Sequence, residues 1–448
     1  MALPNIVFFF TDQQRWDTAG CYGQELNITQ NLDQLAADGV RFENAFTCQP
    51  VCGPARACLQ TGKYATQTGV YRNGIALRQG EKTIAHWLSE AGYEVGYLGK
   101  WHLASTIGNS NEEIGQPFDC RTKPVPPERR GGWKDFWLAA DALEHTSHGY
   151  DGHLFDAQMQ RVDFKGYRAD CLTDFAIDFL KNRSREKPFF LFISYLEPHH
   201  QNDRNRFVGP HGSKEKFKDF QFPGDLKGKE GDWKENYPDY LGACSQLDYN
   251  LGRIIVALEE LRYADNTVLF FTSDHGCHFQ TRNREYKRSC HEASIRIPLV
   301  IHGPGFRGGK VVQELVSLID LPPTILNCAG LTKPEYMQGR PLEELLAGAA
   351  DWPEEVFVQI SETQVGRAIR TKRWKYSVRA PEKDGNLDSR SSVYVEDCLY
   401  DLKADPHEQE NLVSRPELKE VRKELAAILK GRMAAAGEET PVIEPADS

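Results

Sequence analysis

Short apolar runs alternate along this chain with segments in which apolar residues recur every three or four positions. A short apolar run predicts a buried strand, and the longer spacing predicts a helix with one buried face. The predicted strands span residues 5–10, 94–98, 188–195, 267–272 and 297–301, and the predicted helices span residues 29–38, 83–91, 171–181 and 241–261. This alternation favours an α/β fold with a large, mostly parallel sheet sandwiched by helices.

Two long segments interrupt the alternation, and the pattern changes near the end of the chain. Residues 105–166 hold many prolines, glycines and aromatic residues and are predicted to run over one face of the sheet. Residues 201–239 are predicted to form a second excursion, and loops this long are usually functional. Short strand-like pieces and a charged helix follow residue 345. We therefore predict a larger domain over residues 1–345 and an α+β subdomain, with a small antiparallel sheet and a terminal helix, over residues 346–448.

The charge of the chain limits its partners. Its 448 residues carry a formal net charge of −10. Because an acidic chain repels polyanions, we expect no nucleic-acid partner, and an anionic substrate would need a local basic pocket. The apolar runs are too short to cross a bilayer, so no membrane partner is expected.

The cysteines and the first residues indicate the cellular compartment of the protein. The 11 cysteines are odd in number and contain no Cys-x-x-Cys pair. The opening MALPNIVFFF has neither a basic segment nor a cleavage site of the secretory type. These features favour free thiols over a disulfide framework. We therefore expect a cytoplasmic protein.

The segment CQPVCGPARACLQTGKY places Cys52 two residues before Pro54 and four before Arg56. Proline presets the backbone, and in a helix that begins here Arg56 would fold back toward Cys52. The simpler explanation is a free buried cysteine beside a surface arginine. A short motif needs its structural context, so the rest of the chain must decide between them.

Polar residues follow four of the predicted strands directly. In an open α/β sheet, sites form outside the carboxyl ends of the strands. One such residue alone is more often a cap or a surface group, but four strands in series indicate a site. The residues are Asp12 and Gln13 after strand 5–10, Lys100 and His102 after strand 94–98, Glu197, His199 and His200 after strand 188–195, and Asp274 and His275 after strand 267–272.

Four of these residues suit a metal ion. Asp12 and Asp274 supply carboxylates, Gln13 supplies an amide oxygen, and His275 supplies an imidazole. This set suits a divalent cation that prefers oxygen ligands.

Other candidate residues have the charge to bind an anion or the chemistry to transfer a proton. Arg56, Lys100 and Lys287 would surround a tetrahedral dianion or its monoester with positive charge. His102 and His199 are then left for proton transfer. Lys287 lies in a run of charged residues, so a solvated lysine is the alternative explanation for it.

Motifs from residue 5 to about residue 412 resemble, in order, those of type I sulfatases of the alkaline phosphatase superfamily. The matching pieces are an N-terminal strand ending in an acid, CGPARACLQTGKY, GKWH, EPH, SDHG, KRSCHEASIRIP and CLYDLKADPHEQENL. One short motif is weak evidence, whereas an ordered series identifies the chain as a member of that family. The resemblance implies an alkaline phosphatase-like fold and a sulfuric ester hydrolase.

The resemblance also implies a modified residue and a metal. Cys52 would be oxidised to formylglycine by a maturation enzyme, and the hydrate of that aldehyde would be the nucleophile. Asp12, Gln13, Asp274, His275 and one oxygen at position 52 would hold the metal.

The family further implies catalytic roles. Arg56 would stabilise the hydrate, and Lys100 would bridge hydrate and sulfate oxygens. Lys287 and His199 would assist the leaving alkoxide. His102 would then deprotonate the second hydroxyl, so that sulfate is expelled by elimination and the aldehyde returns.

Two positions depart from the common sulfatase pattern. Gln13 stands where many sulfatases have a second aspartate, and His275 stands where others have asparagine. Calcium is the expected ion, with manganese and magnesium as alternatives. Gln13 together with the Asp274–His275 pair also resembles the phosphonate monoesterase and phosphodiesterase branch of the superfamily. The preference for sulfur or phosphorus therefore stays open at this point.

Candidate substrate-binding residues come from the two excursions and from the charged run. His200 is preferred because it adjoins His199, and Arg282 and Arg284 would meet the carboxylate of a neighbouring uronic acid. Each is more often structural or solvent-facing. The candidates are His200, His145, His148, Arg282 and Arg284, with Trp133, His153 and Arg204 as further ones.

The predicted function is removal of sulfate from a small carbohydrate, a mono- or disaccharide of glycosaminoglycan origin. The second hypothesis is hydrolysis of phosphonate monoesters or phosphodiesters. A third is a binder of sulfated sugars in which Cys52 stays a thiol. The full set of metal and proton-transfer candidates disfavours the binder, since a binder needs no general acid.

Overall fold

The computed structural model describes residues 3–108 and 116–446. The strands in this part of the chain are β1 Asn5–Asp12, β2 Val40–Phe46, β3 Glu94–Lys100, β4 Phe136–Ala140, β5 Asp151–Asp156, β6 Arg161–Lys165, β7 Phe189–Pro198, β8 Thr267–Ser273, β9 Arg296–Ile297, β10 Leu299–His302, β11 Lys310–Ser317, β12 Glu355–Ile360, β13 Gly366–Thr371, β14 Trp374–Arg379, β15 Val393–Asp401 and β16 Val442–Glu444. The α-helices are α1 Gln30–Asp38, α2 Cys52–Thr61, α3 Ala65–Thr68, α4 Ile84–Glu90, α5 Leu143–Thr146, α6 Arg168–Asn182, α7 Ser213–Lys216, α8 Trp233–Glu260, α9 Glu292–Ile295, α10 Leu321–Cys328, α11 Leu342–Leu346 and α12 Lys419–Ala435. Among these described helices, none has the length and apolar character needed to cross a membrane.

The larger sheet has 11 strands in the order β11-β2-β10-β8-β1-β7-β3-β4-β5-β6, with β9 paired to β2. From β8 to β4 the neighbours are parallel. Antiparallel pairs flank this block, through β10 on one side and through β5 and β6 on the other. The predicted α/β fold is confirmed, and β1, β3, β7 and β8 end at the same edge because they run in the same direction.

Strand β1 shows how the sheet is held between two layers. Ile6, Phe8 and Phe10 face a core that also contains residues of α2, α4 and α10. Val7 and Phe9 face the opposite core, with residues of α1, α6 and α8. Each fully buried side chain of this size stabilises the fold by about 1.5–3 kcal/mol. Strand β1 is therefore fixed from both faces, and its carboxyl end is a rigid place for a site.

The predicted excursion over residues 105–166 is wrong for its second half. Strands β4, β5 and β6 extend the large sheet there instead of covering a face. The apolar run Phe136–Ala140 is short and stands among prolines and glycines, so the local sequence pattern does not identify it as a strand. In the structure, β4 pairs in parallel with β3 over five residues. Residues 109–115 of the predicted excursion lie outside the described residues.

The smaller sheet is built by the C-terminal part of the chain. Its order is β12-β13-β14-β15-β16, and α12 packs on it. Lys375 of β14 lies between two buried carboxylates, with its Nζ 2.7 Å from Glu292 and 2.6 Å from Glu408. Because Glu292 belongs to α9, this buried ion pair joins the small sheet to the larger one. The domain boundary at residue 345 stays a prediction.

Gly99 offers a test of the close packing between β3 and β7. Its φ is +101°, and a Cβ there would lie 2.0 Å from the carbonyl oxygen of Ser194. We expect Gly99→Ala to lower the free energy of unfolding by about 2–4 kcal/mol, measured by urea denaturation. Gly92→Ala is the matched control, because its φ is +92° and no atom lies within 4 Å. The control should lose only about 1–2 kcal/mol, and equal losses in both variants would contradict the packing argument.

Candidate active site

Cys52 lies where the carboxyl ends of β1 and β8 meet the first turn of α2. Its Sγ is 3.5 Å from Asp12 Oδ1, 3.2 Å from His275 Nε2 and 2.8 Å from Lys287 Nζ. The sulfur marks the position that an oxygen would take if Cys52 were oxidised to an aldehyde hydrate. The side chain at position 52 therefore faces a metal-ligand set on one side and a cation on the other.

The ligand atoms of Asp12, Cys52, Asp274 and His275 all lie within 4.8 Å of one another, and all four residues are buried. Asp274 Oδ2 is buried without a hydrogen-bond partner among the described residues. Its nearest cation is Arg56 at 3.6 Å, which Asp12 binds more closely at 3.0 Å, so a divalent cation would supply the charge and the contact that Asp274 Oδ2 lacks. The residues present therefore fit a divalent cation.

Gln13 lies beside this cluster in the left-handed region, with φ of 70°. Its backbone N–H donates to Asp274 Oδ1 at 3.0 Å, and its side-chain Oε1 accepts from Lys287 Nζ at 3.3 Å. A non-glycine residue with positive φ costs free energy and is common at functional sites. The turn after β1 thus places a backbone N–H next to Asp274 and an uncharged side-chain oxygen, rather than a second carboxylate, next to Lys287.

The two carboxylates of the cluster have opposite pKa shifts. Burial would raise the pKa of Asp12, but Lys100 and Arg56 hold it well below its usual value. Their nitrogen atoms lie 2.9 and 3.0 Å from Asp12 Oδ2. Burial and the charge of Asp12 raise the pKa of Asp274 to about 6. Asp274 is therefore the carboxylate whose charge most needs a cation.

The tautomers of two histidines follow from their backbone contacts. His275 Nδ1 donates to the carbonyl oxygen of Gly276 at 2.9 Å, which leaves the Nε2 lone pair facing Cys52 and the carboxylates. His199 Nδ1 donates to the carbonyl oxygen of His200 at 2.6 Å, which leaves Nε2 to accept from Lys287 Nζ at 3.2 Å. His275 is therefore prepared to bind a metal, and Lys287 is the group that carries the proton.

Lys287 is not the solvated lysine of the alternative explanation. Its side chain is buried, and its ammonium contacts Gln13, Cys52 and His199. Burial would raise the pKa of the Cys52 thiol, but Lys100, Lys287 and His275 hold it well below its usual value. The two lysines therefore favour a negative charge on the side-chain atom of residue 52 that lies at the base of the site.

These residues form the base of a cavity of about 450 Å³. That volume suits a small ligand. His102, His145 and His200 line its walls, together with Glu144 and Tyr286. The structure brings together Asp12, Gln13, Cys52, Arg56, Lys100, His102, His199, Asp274, His275 and Lys287 at or directly behind the base of this cavity.

Three predicted substrate-binding residues do not line this cavity, and their assignment is corrected. Arg282 donates to the backbone oxygens of His407 and Glu408, because the C-terminal segment covers it. Arg284 is exposed to solvent. His148 Nδ1 lies 2.7 Å from Asp203 Oδ2 on the surface.

The further candidates are likewise engaged elsewhere. Trp133 is buried in the core, where its Nε1 donates to Gln60. His153 lines a separate surface groove, and Arg204 is exposed. Glu197, which follows β7, pairs with buried Arg168 at 2.9 Å. Of the predicted substrate-binding residues, His145 and His200 thus remain beside the cavity.

Sequence reasoning missed Glu144, Asn73 and Ser194. Glu144 Oε2 lies 3.3 Å from Lys100 Nζ, Asn73 Oδ1 accepts from the N–H of Gly53, and Ser194 Oγ accepts from Arg56 at 2.6 Å. Glu144 follows β4, the next parallel strand after β3. The strand-end rule would have found it, had β4 been recognised.

The family model described as Sulfatase matches residues 4–331, and the model described as N-sulphoglucosamine sulphohydrolase, C-terminal, matches residues 284–435. The chain belongs to the sulfatase family. This sulfatase is a sulfuric ester hydrolase.

Relatives of the sulfatase cover nearly its whole length. Uncharacterized sulfatase YidJ of Escherichia coli is 32% identical over 95% of this chain and 86% of its own. An N-acetylglucosamine-6-O-sulfatase of Bacteroides thetaiotaomicron is 27% identical over the same shares of the two chains, 95% and 86%. The solved structure BT33494S-sulf, described under the metabolism of multiple glycosaminoglycans by Bacteroides thetaiotaomicron, has a TM-score of 0.81 and 26% identity, covering 97% of each chain.

The ligand cluster predicts that a divalent cation stabilises the sulfatase. A ligand that binds only the folded state raises the melting temperature, so calcium chloride added after chelation should raise it by about 2 °C or more. Asp274→Asn should lose most of this shift, because it removes one of the two buried carboxylates. Differential scanning calorimetry with calcium, manganese and magnesium also ranks the ions.

Asp119→Asn is the control for this measurement. Asp119 is an exposed carboxylate paired with Arg121, and it is not one of the four clustered ligand residues. It should keep the full shift. An equal shift in Asp274→Asn and the unaltered protein would contradict the metal assignment.

Proposed function

We propose that this sulfatase removes sulfate from a small sulfated carbohydrate of glycosaminoglycan type, with Cys52 oxidised to formylglycine. The observation that carries the proposal is the position of Cys52, 2.8 Å from Lys287 and within one ligand cluster with Asp12, Asp274 and His275. The substrate class is supported by the relative that is an N-acetylglucosamine-6-O-sulfatase and by the volume of the cavity. The sugar and its sulfated position would be selected by the cavity walls.

A divalent cation held by Asp12, Gln13, Asp274 and His275, with calcium as the expected ion, would polarise the ester and favour ionisation of the nucleophilic hydroxyl at position 52. Lys100 and Lys287 place two ammonium groups around position 52, where they hold the oxygens of a tetrahedral anion.

Proton transfer is assigned to Lys287 and His102. Lys287 Nζ is held by His199 Nε2 and contacts the side chain at position 52, so a proton donor stands next to the reacting centre. The proposal assigns its proton to the leaving oxygen of the sugar. His102 contacts the side chain at position 52 and has a buried Nδ1 without a hydrogen-bond partner among the described residues. It is therefore placed to take the proton of the second hydroxyl when sulfate leaves.

The second candidate is hydrolysis of phosphonate monoesters or phosphodiesters. It is favoured by one observation: position 13 carries an uncharged side chain in place of a second carboxylate, and its Oε1 accepts from Lys287 at 3.3 Å. Sulfate monoesters and these phosphorus esters share a tetrahedral centre and a single negative charge, so both fit the site at the base of the cavity.

Cys52→Ala tests the nucleophile. Because the variant loses the reacting atom, kcat/KM for 4-nitrophenyl sulfate should fall at least about 10³-fold. The fold should stay intact, since alanine is favourable in the first turn of α2. Peptide mass spectrometry over residue 52 first establishes that the unaltered protein carries the aldehyde.

Cys58→Ala is the matched control, because Cys58 is a buried thiol of the same helix that lies away from the ligand cluster. Its kcat/KM should stay within about threefold of the unaltered protein. Retained activity in Cys52→Ala would refute the nucleophile assignment.

A parallel assay separates the two candidate functions. 4-Nitrophenyl sulfate and 4-nitrophenyl phenylphosphonate have the same leaving group and the same charge, so the ratio of their kcat/KM values reports the preference for sulfur or phosphorus. We expect the sulfate ester to be favoured at least about 10-fold, a transition-state difference of about 1.4 kcal/mol. N-acetylglucosamine 6-sulfate, followed by sulfate release, extends the test to a sugar. A ratio that favours the phosphonate would replace the leading proposal by the second.

A further inference from the structure

Glu144 is a carboxylate beside a pocket that must bind an anion. It belongs to α5, which follows β4, and its side chain is 7% exposed and lines the cavity. Its Oε2 lies 3.3 Å from Lys100 Nζ, but no hydrogen bond to this oxygen is found among the described residues. A negative charge at this place needs an explanation, because it opposes the binding of any anionic ester.

Lys100 shares its positive charge between two carboxylates. Its Nζ is 2.9 Å from Asp12 and 3.3 Å from Glu144. Asp12 belongs to the metal-ligand set, whereas Glu144 lies outside it. Glu144 therefore lowers the positive charge available to a substrate without serving the metal.

The consequence depends on the charge of the substrate. Repulsion by a fixed charge is proportional to the charge of the ligand, so it acts twice as strongly on a dianion as on a monoanion at the same place. Sulfate monoesters, phosphonate monoesters and phosphodiesters are monoanions, and phosphate monoesters are dianions above pH about 6.

We propose that Glu144 is a specificity residue that makes the site select monoanionic esters and reject dianionic phosphate monoesters. The inference rests on the proposed function to the extent that the cavity must bind a tetrahedral oxyanion ester. It holds for a sulfate ester and for a phosphonate monoester alike.

Other groups near Glu144 keep it charged. Burial would raise the pKa of Glu144, but Lys100, His102 and His199 lower it to about 2, so the carboxylate is ionised throughout the working range. The charged and titratable groups that face it are Lys100 and His102 after β3, His199 and His200 after β7, Asp12 across Lys100, and Asp141 at the start of its own segment.

The other carboxylates of the cavity wall are less suited to this role. Asp141 Oδ1 accepts from the backbone N–H of Ala104 at 2.9 Å and holds a loop; its Oδ2, like Glu144 Oε2, is buried without a hydrogen-bond partner among the described residues. Glu285 is half exposed and paired with Arg288, so solvent and its partner screen its charge. Glu144 is the one of these three that contacts a cation at the base of the site.

Glu144→Gln removes the charge and keeps the shape. At pH 8, kcat/KM is measured for 4-nitrophenyl sulfate and 4-nitrophenyl phosphate, which share a leaving group. We expect the ratio of phosphate to sulfate hydrolysis to rise at least about 10-fold in the variant. At pH 4, where the phosphate ester is largely a monoanion, the rise should shrink to less than about threefold. Glu285→Gln is the matched control and should leave the ratio within about twofold of the unaltered protein.

A binding measurement supports the kinetic one. Inorganic sulfate is a dianion, so its dissociation constant, measured by calorimetry on the metal-loaded protein, should fall at least about fivefold in Glu144→Gln. The melting temperature of each variant is measured alongside, so that misfolding is recognised. An equal loss of activity on both esters, with unchanged sulfate affinity, would overturn the proposal and assign Glu144 to the positioning of Lys100.

The experiment distinguishes failure of this inference from failure of the proposed function. If the unaltered protein cleaves the phenylphosphonate but not the sulfate, the proposed function fails. In that case the phenylphosphonate replaces the sulfate ester as the monoanionic reference, and the ratio of phosphate to phosphonate hydrolysis is measured instead. If the unaltered protein cleaves the sulfate and the ratio does not change in Glu144→Gln at pH 8, the inference alone fails.

Discussion

The pairing of buried charges around Asp12 is the constraint on which the site depends. Asp12 is fully buried at the end of β1, and an isolated carboxylate there would cost several kcal/mol. Arg56 from α2 and Lys100 from β3 both contact its Oδ2. These cations are also buried, so Asp12 compensates their charge just as they compensate the charge of Asp12. The three elements are thus joined at one point, and removal of one partner leaves the others with uncompensated charge.

The two sheets hold this charged centre from different sides. Strand β1 lies between β7 and β8, and its own side chains fill both cores, so the carboxyl ends of these strands are fixed relative to one another. Lys287 comes instead from the segment between β8 and α9. The smaller sheet holds that segment through Lys375, whose ammonium contacts Glu292 and Glu408. The C-terminal part of the chain therefore supports the site although it supplies none of the predicted catalytic residues.

The arrangement of charge matches a sulfatase that handles a singly charged ester. Asp12, Asp274 and His275 present a ligand set that a divalent cation completes, and Lys100 and Lys287 add ammonium groups next to position 52. Glu144 offsets part of this positive charge. The hydrogen bonds of His199 leave Lys287 as the proton carrier, so in the proposed mechanism acid catalysis and anion binding come from one side chain.

The sequence by itself determined the strands that carry the site and most of its chemistry. Uninterrupted apolar runs such as residues 6–10 are recognisable without a partner, and the polar residues that follow them lie at the common edge whenever the strands are parallel. The ordered series of motifs, which includes the one around Cys52, also indicated the family, because each motif can be recognised in a short stretch of the chain.

Only the tertiary structure decided which polar side chains enter the cavity. Lys287 reaches Gln13 across 274 positions of the chain, whereas Arg282, five residues earlier, turns to the backbone of the C-terminal segment. The local sequence pattern is the same for both residues, because they belong to the same run of charged residues. Glu144 was hidden because β4 is short and gains its stability from pairing with β3. Periodicity records which residues are buried, but the direction of a charged side chain is set by partners that are distant in sequence.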